Sequence, residues 1–379
     1  MTAGSSVLDL SVDVVDLAAA LVSIPSESHR EQRIADAVEA ALRGLGHLEV
    51  IRHRNTLVAR THLGWAERVL IGGHLDTVPA VGNEVARIVG ADLWGVGACD
   101  MKGGVAVALA LANEVAHPSR DVTYVFYECE EVESASNGLQ HLADAAPELL
   151  KADLAILMEP SNAGIEAGCQ GTLRAEVMIE GRRAHSARAW MGANAIHAAG
   201  ALLEALVAHQ PRQPIVDGLR YREGLNAVGI AGGIAGNVIP DACTITVNLR
   251  FAPDRTVAQA SEDLRELLLG IDLGVPGTRI SGIEIVDAAP AASPGLDRPA
   301  AADFVRAVGA SPEPKLGWTD VARFAALEIP ALNYGPGDPS LAHAPDERVP
   351  VEQIRAVHER MKAWLTEPGS REYEPGSRE

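Results

Sequence analysis

Short apolar runs alternate with amphipathic stretches over the first 160 residues of the chain. The runs Val69–Ile71, Val122–Tyr127 and Leu154–Met158 are continuous and rich in β-branched or aromatic residues, which predicts buried strands. Helical patterns lie between and before these runs, at 7–22, 31–45 and 101–112 among others. Strands that alternate with helices predict an α/β fold, with a central sheet covered by helices on both faces.

The pattern changes near Thr172. Apolar and polar residues then alternate, and the remaining elements up to residue 288 read as one antiparallel sheet with two helices. We therefore expect an inserted α+β domain of the ferredoxin-like type at 172–288, within a first domain formed by 1–171 and 289–366. The repeated sequence Glu-Pro-Gly-Ser-Arg-Glu at 367–379 predicts a disordered tail.

Charge and cysteine content exclude several classes of function. The chain has 32 basic and 51 acidic residues, a net charge of −19, which argues against a nucleic-acid partner. No apolar run reaches about 18 residues, and no basic region with an apolar core opens the chain, so we expect a cytoplasmic protein without a membrane span. The four widely spaced cysteines lack a Cys-x-x-Cys motif, which indicates reduced thiols.

Imidazole and carboxylate side chains follow the three predicted strands. His74 and Asp76 come after the first strand, Glu130 and Glu131 after the second, and Glu159 after the third. A histidine after a strand is more often structural, and an acidic doublet is more often solvated, so neither indicates a site alone. Because open α/β sheets place their sites at the carboxyl ends of strands, the recurrence does indicate one.

The candidate ligands are nitrogen and carboxylate donors without sulfur, and they are His74, Asp100, Glu131, Glu159 and His343. Such a set suits zinc, cobalt or manganese. It exceeds what one tetrahedral ion needs and fits two ions that share a carboxylate and together polarise a carbonyl. Glu130 offers a general base, since adjacent carboxylates can face the metal and a water.

These residues stand in motifs that occur in order along the chain: His74-Leu75-Asp76, 97–104, Glu130-Glu131, Met158-Glu159-Pro160 and Gly335-Pro336 before His343. In this combination the chain resembles the co-catalytic zinc family of aminoacylases, acetylornithine deacetylases and succinyl-diaminopimelate desuccinylases. The resemblance implies a zinc-peptidase-like α/β/α catalytic domain interrupted by a smaller lid domain through which two chains form a homodimer.

The resemblance also implies how the metal ions, zinc before cobalt, are held. His74 and Glu159 would bind one ion, and Glu131 and His343 the other. Asp100 would bridge the two ions.

Three further roles follow from the same resemblance. Asp76 would orient His74, and Glu130 would take a proton from water and return it to the leaving amine. His185, which alone reads as a surface histidine in a basic turn, would reach the active site of the partner chain.

Within this family the similarity is strongest to the actinobacterial desuccinylases, through 127–131, 317–320 and 333–338. The implied reaction is hydrolysis of N-succinyl-LL-2,6-diaminopimelate in lysine synthesis, and an acetylornithine deacetylase or another N-acyl-amino-acid hydrolase or dipeptidase is the alternative. The implied substrate-binding residues are Asn237, Arg250, Thr319 and Arg323. Gln170, where many desuccinylases have arginine, departs from the pattern.

Two other functions fit less well. Gly95 and Gly97 before a helix suggest a dinucleotide-binding oxidoreductase, but Asp100 stands where the third glycine of that fingerprint belongs. A binding module that has lost catalysis should lack Glu130 or a ligand, and all are present.

Overall fold

The computed structural model describes residues 8–367, and the predicted tail from residue 368 onward lies outside the described residues. Contacts between residues divide the chain into two compact units. The first unit contains the chain up to Ala167, Pro294–Glu313 and the chain from Arg323 onward, and the second contains Gly168–Ser293 and Pro314–Ala322. The sequence prediction placed the corresponding boundaries at 171/172 and 288/289.

The strands, numbered along the chain, are β1 Glu49–His53, β2 Thr56–Arg60, β3 Arg68–His74, β4 Arg87–Val89, β5 Asp92–Trp94, β6 Asp121–Tyr127, β7 Leu154–Leu157, β8 Glu166–Ala167, β9 Gly171–Glu180, β10 Ala184–His185, β11 Ile215–Val216, β12 Leu219–Arg220, β13 Gly224–Gly232, β14 Val238–Ile239, β15 Ala242–Phe251, β16 Arg279–Ala289, β17 Glu313–Pro314, β18 Ala331–Asn333 and β19 Arg348–Pro350. The helices are α1 Val14–Val22, α2 Gln32–Arg43, α3 Gly103–Glu114, α4 Gly138–Ala145, α5 Ala195–Ala208, α6 Val257–Leu269, α7 Pro299–Val308, α8 Val321–Ala326 and α9 Val351–Thr366.

The first unit is built on a mixed sheet with the strand order β1-β2-β6-β3-β7-β18-β8-β17. The four central strands β6, β3, β7 and β18 are parallel, and the hairpin β1-β2 joins them antiparallel to β6. In the register, Gly72 of β3 lies opposite Val125 of β6 and Leu157 of β7. The carboxyl ends of these three strands therefore meet at one edge of the sheet.

Apolar side chains on both sides of the central strands form the core of the first unit. Every residue of β6 and β7 is buried, and so is the helix α3 from Gly103 to Ala112. Strands buried on both faces are typical of parallel sheets covered by helices. The mixed sheet flanked by helices confirms the predicted α/β fold class.

The second unit contains an antiparallel sheet with the strand order β13-β15-β9-β16. In chain order its elements are β9, α5, β13, β15, α6 and β16, which is the βαββαβ connection of ferredoxin-like folds. Alternate residues of β9 and β15 point into a core with α5 and α6, for example Val177, Val247 and Leu202. The predicted α+β insert is confirmed.

The two ends of the second unit lie side by side. The backbone N–H of Cys169 donates to the carbonyl of Ala292 at 3.0 Å, and the N–H of Ala292 donates back at 3.0 Å. The segment Pro314–Ala322 joins this unit because Lys315 accepts from the N–H of Gln170 at 3.2 Å. Thr319 therefore packs with the second unit, whereas the sequence prediction assigned it to the metal-binding domain.

Element boundaries differ from the predictions where local hydrogen bonds decide them. The first helix was expected over 7–22 but begins at Val14, because the carboxylate of Asp13 accepts from the N–H of Val15 at 3.0 Å and caps the helix there. Within residues 8–367, no helix is both long and apolar enough to span a membrane. All four cysteines are free and buried.

Candidate metal centre

Three neighbouring parallel strands deliver the first candidate residues. His74 is the last residue of β3, Glu130 and Glu131 follow β6, and Glu159 follows β7. Because β6, β3 and β7 are adjacent in the sheet, these side chains start from the same edge. The structure thus brings the candidates that the sequence placed at strand ends to one edge of the sheet.

His74 faces Asp100 across this edge. Its Nε2 lies 3.0 Å from Oδ1 of Asp100, which belongs to the turn Ala98–Lys102 at the start of α3. The other ring nitrogen, Nδ1, lies 3.0 Å from the backbone carbonyl of Asp76. Since His74 is only 1% exposed and Nδ1 is committed to Asp76, the ring offers Nε2 to the site.

A second imidazole meets the same carboxylates from a loop. Nε2 of His343 lies 2.9 Å from Oε1 of Glu131 and 3.6 Å from Oδ2 of Asp100. His343 is half exposed and has a left-handed backbone, with φ of 63°. The donor atoms of His74, Asp100 and Glu131 lie within 4.8 Å of one another, so Asp100 stands between the two imidazoles.

Glu159 is placed by close backbone packing. A Cβ added at Gly104 would lie 2.1 Å from the carbonyl oxygen of Met158, and one at Gly335 would lie 2.3 Å from the same atom. Glycine at these two positions therefore lets α3 and the loop after β18 approach the turn that carries Glu159. The side chain is buried, but Glu159 is not a member of the group formed by His74, Asp100 and Glu131.

The carboxylate of Asp76 links the turn after β3 to the turn after β6. Its Oδ1 lies 3.4 Å from Nδ1 of His74 and accepts from the N–H of Glu130 at 3.0 Å. Its Oδ2 accepts from the N–H of Glu131 at 3.1 Å and from the hydroxyl of Ser28 at 2.8 Å. Asp76 is fully buried, so one side chain orients the imidazole and fixes the backbone of the acidic doublet.

The carboxylates of this site favour positive charge at both imidazoles. Burial lowers the pKa of His74, but hydrogen bonds and charges from Asp100 and Asp76 outweigh burial and raise it well above its usual value. The hydrogen bonds of His343 to Asp100 and Glu131 raise its pKa to about 10. Burial alone would raise the pKa of Asp100, but its contacts with both histidines hold it below the usual range.

The donor set fits divalent metal ions. Two ligand atoms at about 2.0–2.2 Å from one tetrahedral zinc ion lie roughly 3.3–3.6 Å apart. The contacts of His74 with Asp100 at 3.0 Å, and of His343 with Glu131 at 2.9 Å and Asp100 at 3.6 Å, are close to that separation. The negative charges that raise the pKa of both imidazoles also favour binding of a divalent cation. Such an ion competes with protons for the ring nitrogens.

Glu347 supports the Asp100 turn, and sequence reasoning missed it. Its buried Oε1 accepts from the N–H groups of Cys99 and Asp100, each at 3.0 Å. Burial raises the pKa of this carboxyl group to about 7. Glu347 follows His343 by four residues in a loop without a strand or helix pattern, and only its proximity to that candidate ligand could have drawn attention to it.

Two of the substrate-binding candidates and His185 lie on the second unit. His185 is exposed, and its Nδ1 accepts from the N–H of Ala187 at 3.0 Å. Asn237 is a neighbour, because its carbonyl accepts from the N–H of Ser186 at 2.9 Å. Arg250 is half-buried in β15, opposite Thr172 and Gly224 in the two adjacent strands.

The remaining candidates are held by contacts within their own units. Nη1 and Nη2 of Arg323 donate to Gln140 at 2.6 Å and to Ser134 at 3.0 Å. The backbone carbonyl of Thr319 lies 3.8 Å from the sulfur of Cys169. Gln170, which stands where many desuccinylases have arginine, is buried and donates to the carbonyl of Arg222 at 2.7 Å.

Comparison with known proteins identifies the protein family of this chain. The model of peptidase family M20/M25/M40 matches residues 70–367. The chain belongs to this family. The membership confirms the resemblance inferred from the motifs and the predicted enzyme class, a metal-dependent hydrolase of amide bonds.

Similar members of the M20/M25/M40 family cover nearly the whole chain. A Mycobacterium tuberculosis protein provisionally named succinyl-diaminopimelate desuccinylase is 53% identical over 359 residues, 94% of this chain and 99% of that protein. The succinyl-diaminopimelate desuccinylase of Corynebacterium glutamicum is 46% identical over 371 residues, 95% and 98% of the two chains.

A solved structure of the M20 family shares the fold. The Bacillus subtilis structure, described as a dinuclear metal-binding peptidase, superposes with a TM-score of 0.67 at 17% identity and covers 93% of this chain and 96% of that chain.

Proposed function

We propose that this M20 peptidase is a succinyl-diaminopimelate desuccinylase. It hydrolyses N-succinyl-LL-2,6-diaminopimelate to succinate and LL-2,6-diaminopimelate, a step of lysine and diaminopimelate synthesis. The observation that carries the proposal is the 46% identity over 371 residues with the Corynebacterium glutamicum enzyme of that name. The four free cysteines accord with the reducing cytoplasm, where we place this reaction.

Two divalent ions, zinc before cobalt, would be held by five residues of the first unit. His74 and Glu159 would hold one ion, Glu131 and His343 would hold the other, and Asp100 would be shared by both. The 3.0 Å and 3.6 Å contacts of Asp100 with the two imidazoles support its bridging role. When bound, two such ions would supply polarisation of the amide carbonyl and would lower the pKa of water at the site.

Glu130 acts as the general base and then as the general acid. It takes a proton from the attacking water and delivers it to the amide nitrogen, so that the amine leaves. Asp76 fixes the backbone of Glu130 and Glu131 through the 3.0 Å and 3.1 Å hydrogen bonds from their N–H groups. Because the two side chains leave adjacent positions of one fixed turn, one can serve water and the other a metal ion.

Substrate recognition is assigned to Asn237 and Arg250 of the second unit, with Thr319 and Arg323. The substrate carries three carboxylates, and the chain has a net charge of −19, so local cations must offset the field at the site. Arg250 and Arg323 supply such charges.

We infer that two chains pair through their second units. The edge strand β13 exposes Val228 and Ile230, and Trp190, beyond His185, is 78% exposed. Pairing about a two-fold axis covers such surfaces. His185 of each chain then donates a hydrogen bond to the carbonyl oxygen of the substrate bound by its partner.

Substrate turnover tests the assignment. Purified protein with added zinc is assayed with N-succinyl-LL-2,6-diaminopimelate and, in parallel, with N-acetylornithine. We expect kcat/KM to be at least about a hundredfold higher for the succinyl substrate, since polar groups placed for a third carboxylate discriminate strongly. A preference for N-acetylornithine would assign the alternative function within the family.

Metal titration tests the two-ion site. Zinc is added back to chelated enzyme while activity and bound metal are measured together. Activity should rise with the first ion per chain and rise further with the second. A single binding event, with full activity at one ion per chain, would contradict the two-ion arrangement.

A further inference from the structure

The loop between α1 and α2 holds the turn that follows β3. The hydroxyl of Ser26 donates to the carbonyl of Leu75 at 2.7 Å, and the hydroxyl of Ser28 donates to Oδ2 of Asp76 at 2.8 Å. The backbone pairs as well, because Thr77 donates to Ser26 at 3.0 Å and accepts from Ser28 at 3.1 Å. We call residues 26–31 the brace loop, because the segment also reaches the turn after β6.

Glu31, the last residue of the brace loop, makes that second connection. Its Oε1 accepts from the backbone N–H of Cys129 at 3.2 Å and from the thiol of the same residue at 3.2 Å. It also accepts from the N–H of His29 at 2.8 Å, which closes the brace loop on itself. The side chain is fully buried, so water does not compete for these donors.

Cys129 has a backbone conformation that needs support. Its φ is 57°, in the left-handed region that residues with a Cβ rarely adopt. The N–H of Cys129 goes to Glu31, and the next two N–H groups, of Glu130 and Glu131, go to Asp76. Three successive backbone donors are therefore received by two buried carboxylates, and this fixes the direction in which Glu130 and Glu131 leave the turn.

The position of Glu31 is unfavourable for stability alone. No ion pair among residues 8–367 involves Glu31. A second buried acid, Glu128, lies nearby. One possible ligand atom each of Glu31, Glu128 and Cys129 lies within 4.8 Å of the others. A buried carboxylate without a cation costs more free energy than an apolar residue of similar size. Residues that break such a rule are expected at functional sites.

We propose that Glu31 is a positioning residue of the active site, which orients Glu130 and Glu131 by holding Cys129 in its left-handed conformation. Glu31 acts through the backbone and does not touch the reacting atoms. The role rests on the function proposed above, in which Glu130 is the base and Glu131 a metal ligand. The role depends on the distance from the acceptor oxygen of Glu31 to the N–H of Cys129, and not on the negative charge of the carboxylate.

Two conservative substitutions separate reach from charge. Glu31→Gln keeps an acceptor oxygen at the same distance and removes the charge, so kcat should stay within about threefold of the wild type. Glu31→Asp keeps the charge but withdraws the acceptor from Cys129, and kcat should fall about tenfold or more with KM changed less than twofold, since an ångström of misplacement costs up to about 10² in rate. Glu31→Met fills the space without an acceptor, and its kcat should be lower still.

Hydrogen exchange of the zinc-loaded protein gives a readout without substrate. Amides in peptides covering 128–133 should exchange faster in Glu31→Asp than in the wild type and at the wild-type rate in Glu31→Gln. Glu27→Ala is the matched control, because its exposed carboxylate in the same loop forms an ion pair with Arg30 at 3.7 Å. It should change neither readout.

The proposal is overturned if Glu31→Gln loses as much kcat as Glu31→Asp, because charge rather than reach would then be responsible. Unchanged kcat and exchange in Glu31→Asp would overturn it as well. If the wild type fails to hydrolyse N-succinyl-LL-2,6-diaminopimelate, the proposed function fails, and the exchange rates of the same variants still decide the role of Glu31 in the turn.

Discussion

The two units hold their functional candidates in opposite ways. In the first unit His74 is 1% exposed and has both ring nitrogens occupied, by Asp76 and Asp100. In the second unit His185 is exposed, and its ring accepts one hydrogen bond from the backbone two residues on. The ring of one histidine is held at both nitrogens, by Asp76 and by Asp100, and the ring of the other is contacted by a backbone N–H of its own turn.

This difference corresponds to two kinds of functional requirement, for groups fixed in advance and for groups that bind a partner. A metal ligand or a base must stand in its working position before substrate arrives, and buried acceptors achieve this in the first unit. A residue that binds a small molecule or a second chain must be exposed in the isolated chain and is ordered by its partner. We therefore expect substitutions of the metal-ligand candidates in the first unit, and of the residues that orient them, to weaken metal binding, and substitutions in the second unit to leave the metal alone.

The largest effect is expected at Glu130. Glu130→Gln should lower kcat by about 10²–10⁴ and keep both metal ions, because it removes the base but not a ligand. Turnover and bound zinc are measured on the same sample. Glu133→Gln, whose side chain is 64% exposed, is the control and should keep full activity. Loss of zinc in Glu130→Gln would show that this residue is a ligand.

The second largest effect is expected for His185→Ala, which should lower kcat by roughly 10²–10³ and leave zinc content and dimer mass unchanged. The lost hydrogen bond acts only on the substrate oxygen that becomes negative in the transition state. His197→Ala, an exposed histidine on α5 of the same unit, is the control.

Mixed dimers give the decisive measurement on His185. Combining His185→Ala chains with Glu130→Gln chains should recover activity, because one site of each mixed dimer then has an intact base and an intact partner histidine. Mixed dimers that form but stay inactive would contradict the role across the dimer.

Asp76→Asn should weaken metal binding by about 10–100-fold, because a partner of a ligand imidazole is lost and an amide donor faces backbone N–H groups. Competition with a chromophoric zinc chelator measures the change. Asp36→Asn, at a carboxylate 55% exposed on α2, should bind zinc like the wild type. Unchanged affinity in Asp76→Asn would show that the imidazole is oriented without the Asp76 carboxylate.

The smallest effect is expected at the amino end of α6 in the second unit. Thr256 accepts from the N–H of Gln259 at 3.2 Å, and the Gln259 side chain accepts from the N–H of Thr256 at 2.9 Å. Thr256→Ala should lower the free energy of unfolding by about 1 kcal/mol in a urea titration and leave zinc affinity unchanged. A parallel loss of zinc would show that the two units do not separate these functions.

Sequence patterns predicted the parts of this molecule that depend on local order. His74, Glu131 and Glu159 became candidates because each follows a continuous apolar run, and the structure places all three at strand ends. The βαββαβ insert was found because β9 and β15 alternate buried and exposed positions over ten residues each. These signals are properties of a short stretch of chain.

The parts that sequence did not predict depend on pairs of distant residues. Glu347 accepts from Cys99 and Asp100 across 248 and 247 positions of the chain, and Glu31 meets Cys129 across 98. The hairpin of β4 and β5 was missed because each strand has only three residues, too few for a period to emerge. The hydrophobic and polar pattern around such residues does not identify them, since a buried acceptor has the same local pattern as a solvated acid.

The paired backbone of Cys169 and Ala292 has a consequence for how such a chain can be rebuilt. The two N–H···O bonds, each 3.0 Å, bring the points where the chain enters and leaves the second unit within one hydrogen bond of each other. A short turn can therefore bridge the gap at little entropic cost. Replacing 170–291 with a tight hairpin, or with a different domain whose ends lie equally close, would keep Cys169 and Ala292 paired, while Pro314–Ala322 would lose its contact with Gln170. We therefore expect that recombination at these two points exchanges the inserted domain and leaves the metal-ligand candidates of the first unit unchanged.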